Sequence, residues 1–329
     1  MAVLVCGGAG YIGSHTVYSL LQRNESVVVV DNLSTGHKQS LSDKVKFYFG
    51  DIRSKETLNQ IFVENDIESV IHFAADALVV ESMRDPLKYF NNNVYGMQVL
   101  LECMVRCHVD KIIFSSTCAT YGTPLVTPIS ELTPTNPINP YGESKLIMEK
   151  MMKWVSQIHN IKYVSLRYFN AAGALPDGSI GEDHEYETHL IPLVFDVPLK
   201  KRSYVNIFGD EYPTKDGTCI RDYIHVMDLA NAHILALDYL RNGGESDIFN
   251  LGNGNGFSVK EIISAAEKVT GEVIETRIST PREGDPPELV ANNTKAQHIL
   301  HWVPQYSNIE EIIATAWNWH KNHPNGYKG

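Results

Sequence analysis

The sequence predicts an α/β fold: a doubly wound parallel sheet followed by a smaller mixed α/β lobe. Short apolar runs alternate with segments of helical spacing through the first 170 residues, and after Asn170 glycine, proline and acidic residues become frequent. Alternating strands and amphipathic helices imply a parallel sheet that helices cover on both faces. A chain of 329 residues is also long enough for one core to give way to two lobes.

The elements of the predicted sheet follow one another in order. Strands are predicted at residues 3–6, 27–30, 45–49, 70–73, 111–115 and 163–167, and helices at residues 14–23, 55–65, 89–107 and 141–159. Right-handed crossovers between them give a doubly wound sheet. A strand at 248–251, after a helix at 227–240, is expected to return to it. The predicted units are residues 1–172, which segments near 222–252 rejoin, and residues 173–329.

Charge and cysteine content restrict the class of protein. The net charge is −11, from 39 acidic and 28 basic residues without a block of like charges, which argues against a nucleic-acid or anionic-membrane binder. No apolar stretch reaches the length of a membrane span. The five cysteines form no CxxC motif, and no signal peptide is recognisable before the first strand, so a cytoplasmic location is predicted.

A glycine-rich turn joins the first predicted strand to the first helix. Gly7, Gly10 and Gly13 have the spacing G-x-x-G-x-x-G. Glycine lets the backbone turn tightly there and lets a pyrophosphate approach the free N–H groups of a helix N-terminus. The alternative is an ordinary strand–helix turn, but a strand precedes this motif, a helix follows it, and an acidic residue stands at the expected place. The turn predicts a dinucleotide-binding unit of the Rossmann type in residues 1–172.

That acidic residue is Asp31, which stands 21 residues after Gly10 at the end of the second predicted strand. A carboxylate there accepts hydrogen bonds from the adenosine ribose hydroxyls. Asn32 follows it, with no adjacent Lys or Arg to balance a 2′-phosphate, so NAD is favoured over NADP. Asp51, after the third predicted strand, has two interpretations: it contacts the adenine ring, or it satisfies backbone donors in a helix N-cap region.

Tyr141 and Lys145 stand at positions i and i+4 of a predicted helix and therefore share one face. A tyrosine titrates at about pH 10, and a neighbouring ammonium group stabilises the phenolate and lowers that pKa. Such a pair can move a proton on or off a substrate hydroxyl while a hydride moves to a nicotinamide. A surface Tyr/Lys pair without function is common, and the dinucleotide unit beside this one favours the catalytic interpretation.

Hydroxyl side chains end the fifth predicted strand, at Ser115, Ser116 and Thr117. Open α/β sheets bind ligands at the carboxyl ends of their strands, so these hydroxyls are candidates for substrate contact. Ordinary capping of the strand end is the alternative.

Together these motifs resemble the extended short-chain dehydrogenase/reductase superfamily and, within it, the family of UDP-glucose 4-epimerases. The narrower resemblance rests on residues 167–173, 218–230 and 282–285, and it covers nearly the whole chain. It implies an NAD-dependent isomerase that interconverts UDP-galactose and UDP-glucose by transient oxidation at carbon 4 of the hexose. It also implies that residues 173–329 bind the UDP-sugar, and that two copies of the chain form a homodimer through helices of the first lobe.

The resemblance also implies a role for each site residue. Tyr141 would be the acid and base, Lys145 would tune it, and Thr117 would contact the reacting oxygen of the sugar. NAD would be bound by Gly7, Gly10, Tyr11, Ile12, Gly13, Asp31, Asn32, Asp51, Ile52, Phe73, Asn92, Ser115, Tyr141, Lys145 and Tyr168. The UDP-sugar would be bound by Thr117, Asn170, His189, Leu190, Phe208, Arg221, Tyr223, Arg282, Asp285 and Leu289.

Departures from the family pattern bear on the chemistry. Asp76 and Ala77 stand where some members carry a lysine that contacts the nicotinamide, so tight retention of NAD is not implied. Cys118 and Ala119 occupy the positions of an Asp-Glu pair in sugar-nucleotide dehydratases, which argues against that class. Leu289 stands where a tyrosine restricts members to glucose and galactose and a small residue admits N-acetylated sugars. The alternative activity is therefore a UDP-N-acetylhexosamine 4-epimerase or a dual-specificity enzyme.

The sequence argues against two other classes of protein. The histidine–carboxylate segment 184–189 could suggest a metal site, but histidines five residues apart in a loop fit no zinc pattern, so no metal is predicted. A non-catalytic NAD-sensing protein would commonly lack the tyrosine or the lysine, and both Tyr141 and Lys145 are present.

Overall fold

The computed structural model describes residues 1–282 and 284–328. Its strands are β1 (Ala2–Cys6), β2 (Val27–Asp31), β3 (Lys46–Phe49), β4 (Ile67–His72), β5 (Lys111–Thr117), β6 (Lys162–Tyr168), β7 (Asn170–Ala172), β8 (Val205–Phe208), β9 (Ile220–His225), β10 (Asp247–Leu251), β11 (Gly256–Ser258), β12 (Thr276–Ser279) and β13 (Glu288–Leu289). Its α-helices are α1 (Tyr11–Gln22), α2 (Lys55–Glu64), α3 (Val79–Arg84), α4 (Pro86–Tyr89), α5 (Gly96–Cys107), α6 (Pro140–His159), α7 (Leu190–Phe195), α8 (Val226–Arg241), α9 (Val259–Thr270), α10 (Thr294–Ile299) and α11 (Ile309–Asn322).

Seven strands form one parallel sheet in the order β3-β2-β1-β4-β5-β6-β10. The direction of winding reverses between β1 and β4, which is the topological switch point of such a sheet. Apolar side chains cover both faces, because one core cluster joins the sheet to α2, α5 and α6 and a second joins it to α1 and α8. The predicted doubly wound parallel sheet is confirmed.

The predicted elements are present with shifted ends. β4 begins at Ile67, three residues before its predicted start. The helix predicted at 89–107 is interrupted, because a π-helical turn over Phe90–Tyr95 separates α4 from α5. Such turns are frequent at functional sites, and this one carries Asn92. β10 pairs with β6, so the late strand lies in the main sheet, while the division into two units at residue 172 stays a prediction.

The strands outside this sheet form two smaller sheets. β9 pairs with β7, β11 and β13, β8 pairs with β12, and α7, α9 and α11 enclose a third apolar cluster. This region contacts the start of α1, where the Tyr11 hydroxyl donates a 2.6 Å hydrogen bond to the backbone oxygen of Gly173. Within the two described ranges, no helix is both long and apolar enough to cross a membrane.

Candidate active site

A cleft of about 310 Å³ opens at the carboxyl ends of the parallel strands, beside the N-terminus of α1. Open α/β sheets bind ligands at this place, next to the switch point. The cleft is lined by most of the residues predicted to bind a cofactor, namely Gly7, Gly10, Tyr11, Ile12, Gly13, Asp31, Asn32, Ile52, Phe73, Asn92, Ser115, Tyr141, Lys145 and Tyr168.

The glycine turn after β1 is closely packed. Gly7 has a φ of +76°, and a Cβ atom there would lie 2.6 Å from the backbone nitrogen of Ala74. A Cβ atom on Gly13 would lie 2.2 Å from the backbone oxygen of Gly7. A Cβ atom on Gly10 would meet only that same oxygen, at 3.5 Å, so Gly10 keeps the space over the start of α1 open.

The first turn of α1 is suited to an anion. Gly10 is its N-cap residue and supplies no side-chain hydrogen bond, and no acidic residue stands in the first turn. The first N–H groups of a helix have no intrahelical acceptor, and the helix dipole favours negative charge at that end. The open space above Gly10 and these donors fit the diphosphate of a dinucleotide.

The carboxylate of Asp31 is held against the glycine turn. Its Oδ2 accepts a hydrogen bond from the backbone N–H of Ala9 at 2.9 Å, and its Oδ1 accepts one from Leu33 at 2.8 Å. Burial raises the pKa of Asp31, and these two N–H groups oppose that rise. A carboxylate has about four acceptor sites, so Asp31 keeps acceptor capacity toward the cleft. Its contact with a ribose stays a prediction.

Asp51 pairs with Arg53 beside the cleft. Its Oδ1 accepts hydrogen bonds from the backbone N–H of Arg53 at 2.8 Å and from Nε of the same residue at 2.9 Å. The Arg53 side chain holds the pKa of Asp51 below its ordinary value. Asp51 therefore satisfies a backbone donor near the start of α2, although the N-cap of that helix is Ser54. The adenine contact of Asp51 stays a prediction, and its neighbour Ile52 lines the cleft.

Tyr141, Lys145 and Thr117 meet in the cleft. α6 begins at Pro140, and the Asn139 side chain caps it by accepting the N–H of Gly142 at 2.8 Å. This start places Tyr141 in the first turn of the helix and Lys145 one turn later on the same face. Residues of α6 and of β5 thus reach the cleft at the point where β5 ends.

Burial governs the protonation of this pair in the free protein. It lowers the pKa of Lys145 to about 7, and the Glu149 carboxylate opposes that shift. Burial and the nearby Tyr168 raise the pKa of Tyr141, and the Thr117 hydroxyl opposes this rise. The sequence predicts that Lys145 lowers the pKa of Tyr141, and the free protein shows the opposite direction. The reason is that both side chains are enclosed, which disfavours each charged form taken alone.

A buried ion pair fastens α6 to the sheet behind Lys145. Glu149, one turn after the lysine, accepts hydrogen bonds from the Ser116 hydroxyl at 2.6 Å and from Arg167 Nε at 2.9 Å. Glu149 and Arg167 are each only 4% exposed. Since Ser116 lies on β5 and Arg167 on β6, the pair fixes the height of α6 above the strand ends.

Ser115, Tyr168 and Phe73 line the same cleft as Tyr141. The hydroxyl groups of Ser115 and Tyr168 are hydrogen-bonded to each other. Burial raises the pKa of Tyr168 to about 12, although this hydrogen bond acts to lower it. The Phe73 ring packs on His233, with the ring centroids 4.6 Å apart. Aromatic rings and hydroxyl groups thus both contribute to the lining of the cleft.

The residues predicted to bind the sugar nucleotide fall into two groups. Thr117, Asn170 and His189 line the cleft. Seven others lie beyond its lining: Leu190 at the start of α7, Phe208 on β8, Arg221 and Tyr223 on β9, Leu289 on β13, and Arg282 and Asp285 in the preceding loop.

Both arginines of the second group already contact other side chains. Arg221 donates a hydrogen bond to the Asp285 carboxylate, and the Arg282 guanidinium lies 4.3 Å from the centroid of the Phe208 ring. Leu289 pairs with Arg221 between β13 and β9. Arg221, Asp285 and Leu289 are therefore neighbours, as are Arg282 and Phe208, and the contact of these positions with a ligand stays a prediction.

Tyr223 and Leu289 are more buried than a ligand-binding role would suggest. Tyr223 is 5% exposed and belongs to the apolar core of the second lobe, where burial raises its pKa to about 12. Leu289 packs against a small apolar cluster that includes Ile129 and Phe169. Phe169 itself lines the cleft, so Leu289 is one residue removed from the space that a ligand would fill.

Sequence reasoning missed several residues of the cleft. Ser34 and Thr35 follow β2, and Ala74 and Ala75 follow β4. The position of these residues after parallel strands was the available signal, because ligands bind at the carboxyl ends.

The chain is similar to known proteins over its whole length. The model of the NAD dependent epimerase/dehydratase family matches residues 3–252. The chain is 57% identical over 327 residues to a UDP-glucose 4-epimerase of Halalkalibacterium halodurans, which covers 99% of this chain and 98% of that protein. A solved UDP-glucose 4-epimerase is similar with a TM-score of 0.98 and 57% identity over 100% of both chains. The Bifidobacterium longum UDP-glucose 4-epimerase, solved in complex with NAD+ and UDP, has a TM-score of 0.94 and 40% identity over 99% of this chain and 100% of that chain.

Proposed function

Because this chain belongs to the NAD dependent epimerase/dehydratase family, we propose that it is an isomerase that interconverts UDP-galactose and UDP-glucose, a step of galactose metabolism. The observation that carries the proposal is the 57% identity to a UDP-glucose 4-epimerase over 99% of the chain. That identity includes both the parallel sheet and the second lobe. The cleft adds an acid–base pair beside a turn that fits a dinucleotide.

The cleft residues fit NAD. The space above Gly10 and the start of α1 would hold its diphosphate, Asp31 would accept from the adenosine ribose, and Lys145 would hold the nicotinamide ribose. When bound, NAD supplies the acceptor and then the donor of a hydride at carbon 4 of the hexose. The negative charge of Asp31, followed by uncharged Asn32, disfavours the 2′-phosphate of NADP.

Tyr141 is the residue that exchanges a proton with the hydroxyl on carbon 4. Its Oη takes the hydroxyl proton as that carbon is oxidised and returns a proton as the carbon is reduced, so the protein ends each cycle in its starting state. A lone phenolate is disfavoured in this enclosed site, as the raised pKa of Tyr141 indicates. The Lys145 ammonium one helical turn away compensates the phenolate charge, so the two groups are stable when charged together.

Thr117 orients the reacting oxygen. Its Oγ1 accepts a 3.1 Å hydrogen bond from the backbone N–H of Ala119, which leaves the hydroxyl proton free to be donated. The hydroxyl of Thr117 and the phenol of Tyr141 can therefore both contact oxygen 4 of the sugar. Two such contacts hold that oxygen while the ring presents either face to the hydride donor.

A dehydratase reaction is not supported by the residues after Thr117. Elimination of water needs a further acid–base group, and Ala119 has none. Burial raises the pKa of the Cys118 thiol to about 12, so this thiol is not ionised near neutral pH. Isomerisation needs only the groups already present.

Activity on N-acetylated UDP-sugars is the second candidate, and Leu289 is the observation that favours it. Leucine is smaller and more flexible than the tyrosine of glucose- and galactose-restricted members of the family. Packed against Ile129 and Phe169, it leaves part of the volume of an aromatic ring free. We propose weak turnover of these substrates beside the main reaction.

We propose further that the protein is a cytoplasmic homodimer. All five cysteines are free, as is usual in reducing compartments. Trp154 and Ile158 lie one turn apart on α6 and are 68% and 73% exposed. An apolar strip of this kind is suited to the same helix of a second copy. Sedimentation should give a dimer for the unmodified chain and a monomer for Trp154→Glu, and a monomeric wild type would refute the dimer.

The test of the proposed function is a coupled assay on the purified protein. UDP-galactose is supplied, and UDP-glucose is detected by an added UDP-glucose dehydrogenase whose NADH is measured by absorbance. We expect conversion without net consumption of the NAD bound to the protein. A folded protein that holds NAD and gives no UDP-glucose would refute the proposal.

A further inference from the structure

Four side chains of metal-binding type converge at the edge of the cleft, in the segment between β7 and α7. Glu182, His184, Glu187 and His189 each offer one ligand atom, and these atoms lie within 4.8 Å of one another. We propose that the four side chains form a zinc site. One of its ligands, His189, is also predicted to contact the UDP-sugar, but the zinc itself takes no part in the proposed isomerase reaction. The sequence predicts no metal here because the spacing argument uses only the two histidines and leaves out Glu182.

Three of the four nitrogen–oxygen distances in the cluster are close to those between ligands of a tetrahedral zinc. Nδ1 of His184 lies 3.3 Å from an oxygen of Glu182 and 3.3 Å from one of Glu187. Nδ1 of His189 lies 2.6 Å and 3.3 Å from oxygens of the same two carboxylates. Ligands at about 2.0–2.2 Å from a tetrahedral zinc are about 3.3–3.6 Å apart. Nδ1 of His189 and the Glu182 oxygen, which are 2.6 Å apart, would have to separate by about 1 Å to bind the same ion.

The charge of the cluster also favours a cation of charge +2. Glu182 is 5% exposed. A buried carboxylate next to a second carboxylate needs a nearby positive charge that compensates its own charge. Both carboxylates contact the imidazoles of His184 and His189. A zinc ion bound by these two carboxylates and two neutral imidazoles would leave the cluster neutral.

The surrounding structure holds the ligands in place. A Cβ atom on Gly181 would lie 2.1 Å from the Trp319 ring, so the backbone at Gly181 packs directly on that indole. The indole Nε1 donates a 2.9 Å hydrogen bond to the backbone oxygen of Glu182. The Glu187 carboxylate accepts the backbone N–H groups of Thr188 and His189, each at 2.7 Å. Hydrogen-bonded outer partners of this kind orient metal ligands.

The donor set selects the metal. Two imidazole nitrogens and two carboxylate oxygens suit zinc, whereas magnesium and calcium prefer six or more oxygen ligands. Four protein ligands leave no open position for a substrate, which is the arrangement of structural zinc sites. The Tyr11 ring stands edge-on to His184, with centroids 6.5 Å apart, so a zinc ion would fasten this segment beside the start of α1.

The test is zinc titration of the full chain after treatment with a chelator, with a chromophoric chelator as competitor and elemental analysis for stoichiometry. The variants Glu187→Gln and His184→Asn remove one ligand each. Glu185→Gln is the matched control, because Glu185 is an exposed carboxylate of the same loop outside the cluster. Thermal unfolding is measured with and without zinc, and magnesium is added in excess as a competitor.

We expect one zinc per wild-type chain and a higher unfolding temperature with zinc. Affinity should fall at least about 100-fold in the two ligand variants and stay unchanged in Glu185→Gln. Absence of zinc binding by the wild type, equal binding by the ligand variants, or displacement of zinc by magnesium would overturn the site. The wild-type titration decides the matter if a variant fails to fold.

Discussion

The ammonium group of Lys145 donates a 2.8 Å hydrogen bond to the backbone oxygen of Ser115. This contact ties the lysine of α6 to the strand that ends in Thr117. Because Tyr141 stands one helical turn before Lys145, the same contact sets where the phenol lies relative to the Thr117 hydroxyl. The proposed acid–base chemistry depends on this arrangement, and each of its parts can be tested.

Removal of the Tyr141 hydroxyl tests the proton-transfer role. Tyr141→Phe should fold, keep NAD and lose at least about 100-fold in turnover, as expected when a positioned proton-transfer group is removed. Turnover of UDP-galactose and the content of bound NAD are measured on the same sample. Tyr186→Phe is the matched control, because Tyr186 is 75% exposed, and it should keep full activity. Turnover near that of the wild type in Tyr141→Phe would refute the mechanism.

The charge of Asp31 should set the choice of cofactor. When protein stripped of cofactor is reactivated, NAD should restore activity and NADP should be poorer by at least about tenfold, since a 2′-phosphate would meet the Asp31 carboxylate. Asp31→Asn removes the charge and keeps an acceptor for the Ala9 or Leu33 N–H group. In that variant, the activities restored by NAD and by NADP should differ less than they do in the wild type. An equal response of the wild type to both cofactors would contradict this account.

The stability of the NAD-free protein should depend on pH through Lys145. Burial gives the folded lysine a pKa of about 7, against 10.5 for an exposed lysine. Between these two values the unfolded chain binds more protons than the folded one, so stability rises with pH. The free energy of unfolding of the wild type, relative to Lys145→Met, should increase from about pH 7 to about pH 10 in urea titrations. A difference that is flat or falls over this range would show that the lysine is not desolvated.

The size of residue 289 should control the response to N-acetylated sugars. Leu289→Tyr fills volume near the predicted sugar site and should abolish weak turnover of UDP-N-acetylgalactosamine while sparing UDP-galactose. A misfit of this kind is worth about 1–3 kcal/mol of discrimination. The measurement is the ratio of kcat/KM for the two substrates. An unchanged ratio would show that residue 289 does not determine which sugars are accepted. A parallel loss of both activities and of stability would show that Leu289 only packs in the protein interior.

Sequence periodicity predicted the parallel sheet well, because its strands are short apolar runs whose burial on both faces leaves a strong pattern. The i,i+4 spacing of Tyr141 and Lys145 likewise fixes a shared helix face, and both side chains line the cleft. The direction of the Tyr141 pKa was wrong for the free protein, because the enclosing residues come from other elements and a single helix does not show them.

The second lobe was less accessible to the same reasoning. Its strands are short, with two residues in β13, so alternation cannot show which side a residue such as Tyr223 faces. Glu182 and His189 are brought together by a turn in a segment without periodic structure, and only the fold shows their contact. In a segment without periodic structure, the side-chain contacts depend on how the chain packs in the fold, and the spacing of residues along the sequence does not show them.

The fate of the hydrogen on carbon 4 of the hexose tests the central claim most directly. UDP-galactose with deuterium at carbon 4 is incubated with the purified protein in ordinary water, and the UDP-glucose formed is analysed by mass spectrometry and NMR. If carbon 4 is oxidised and reduced again within one site, while Tyr141 exchanges only the proton on oxygen, the product keeps the deuterium at carbon 4. Replacement of that deuterium by hydrogen from water would contradict the account.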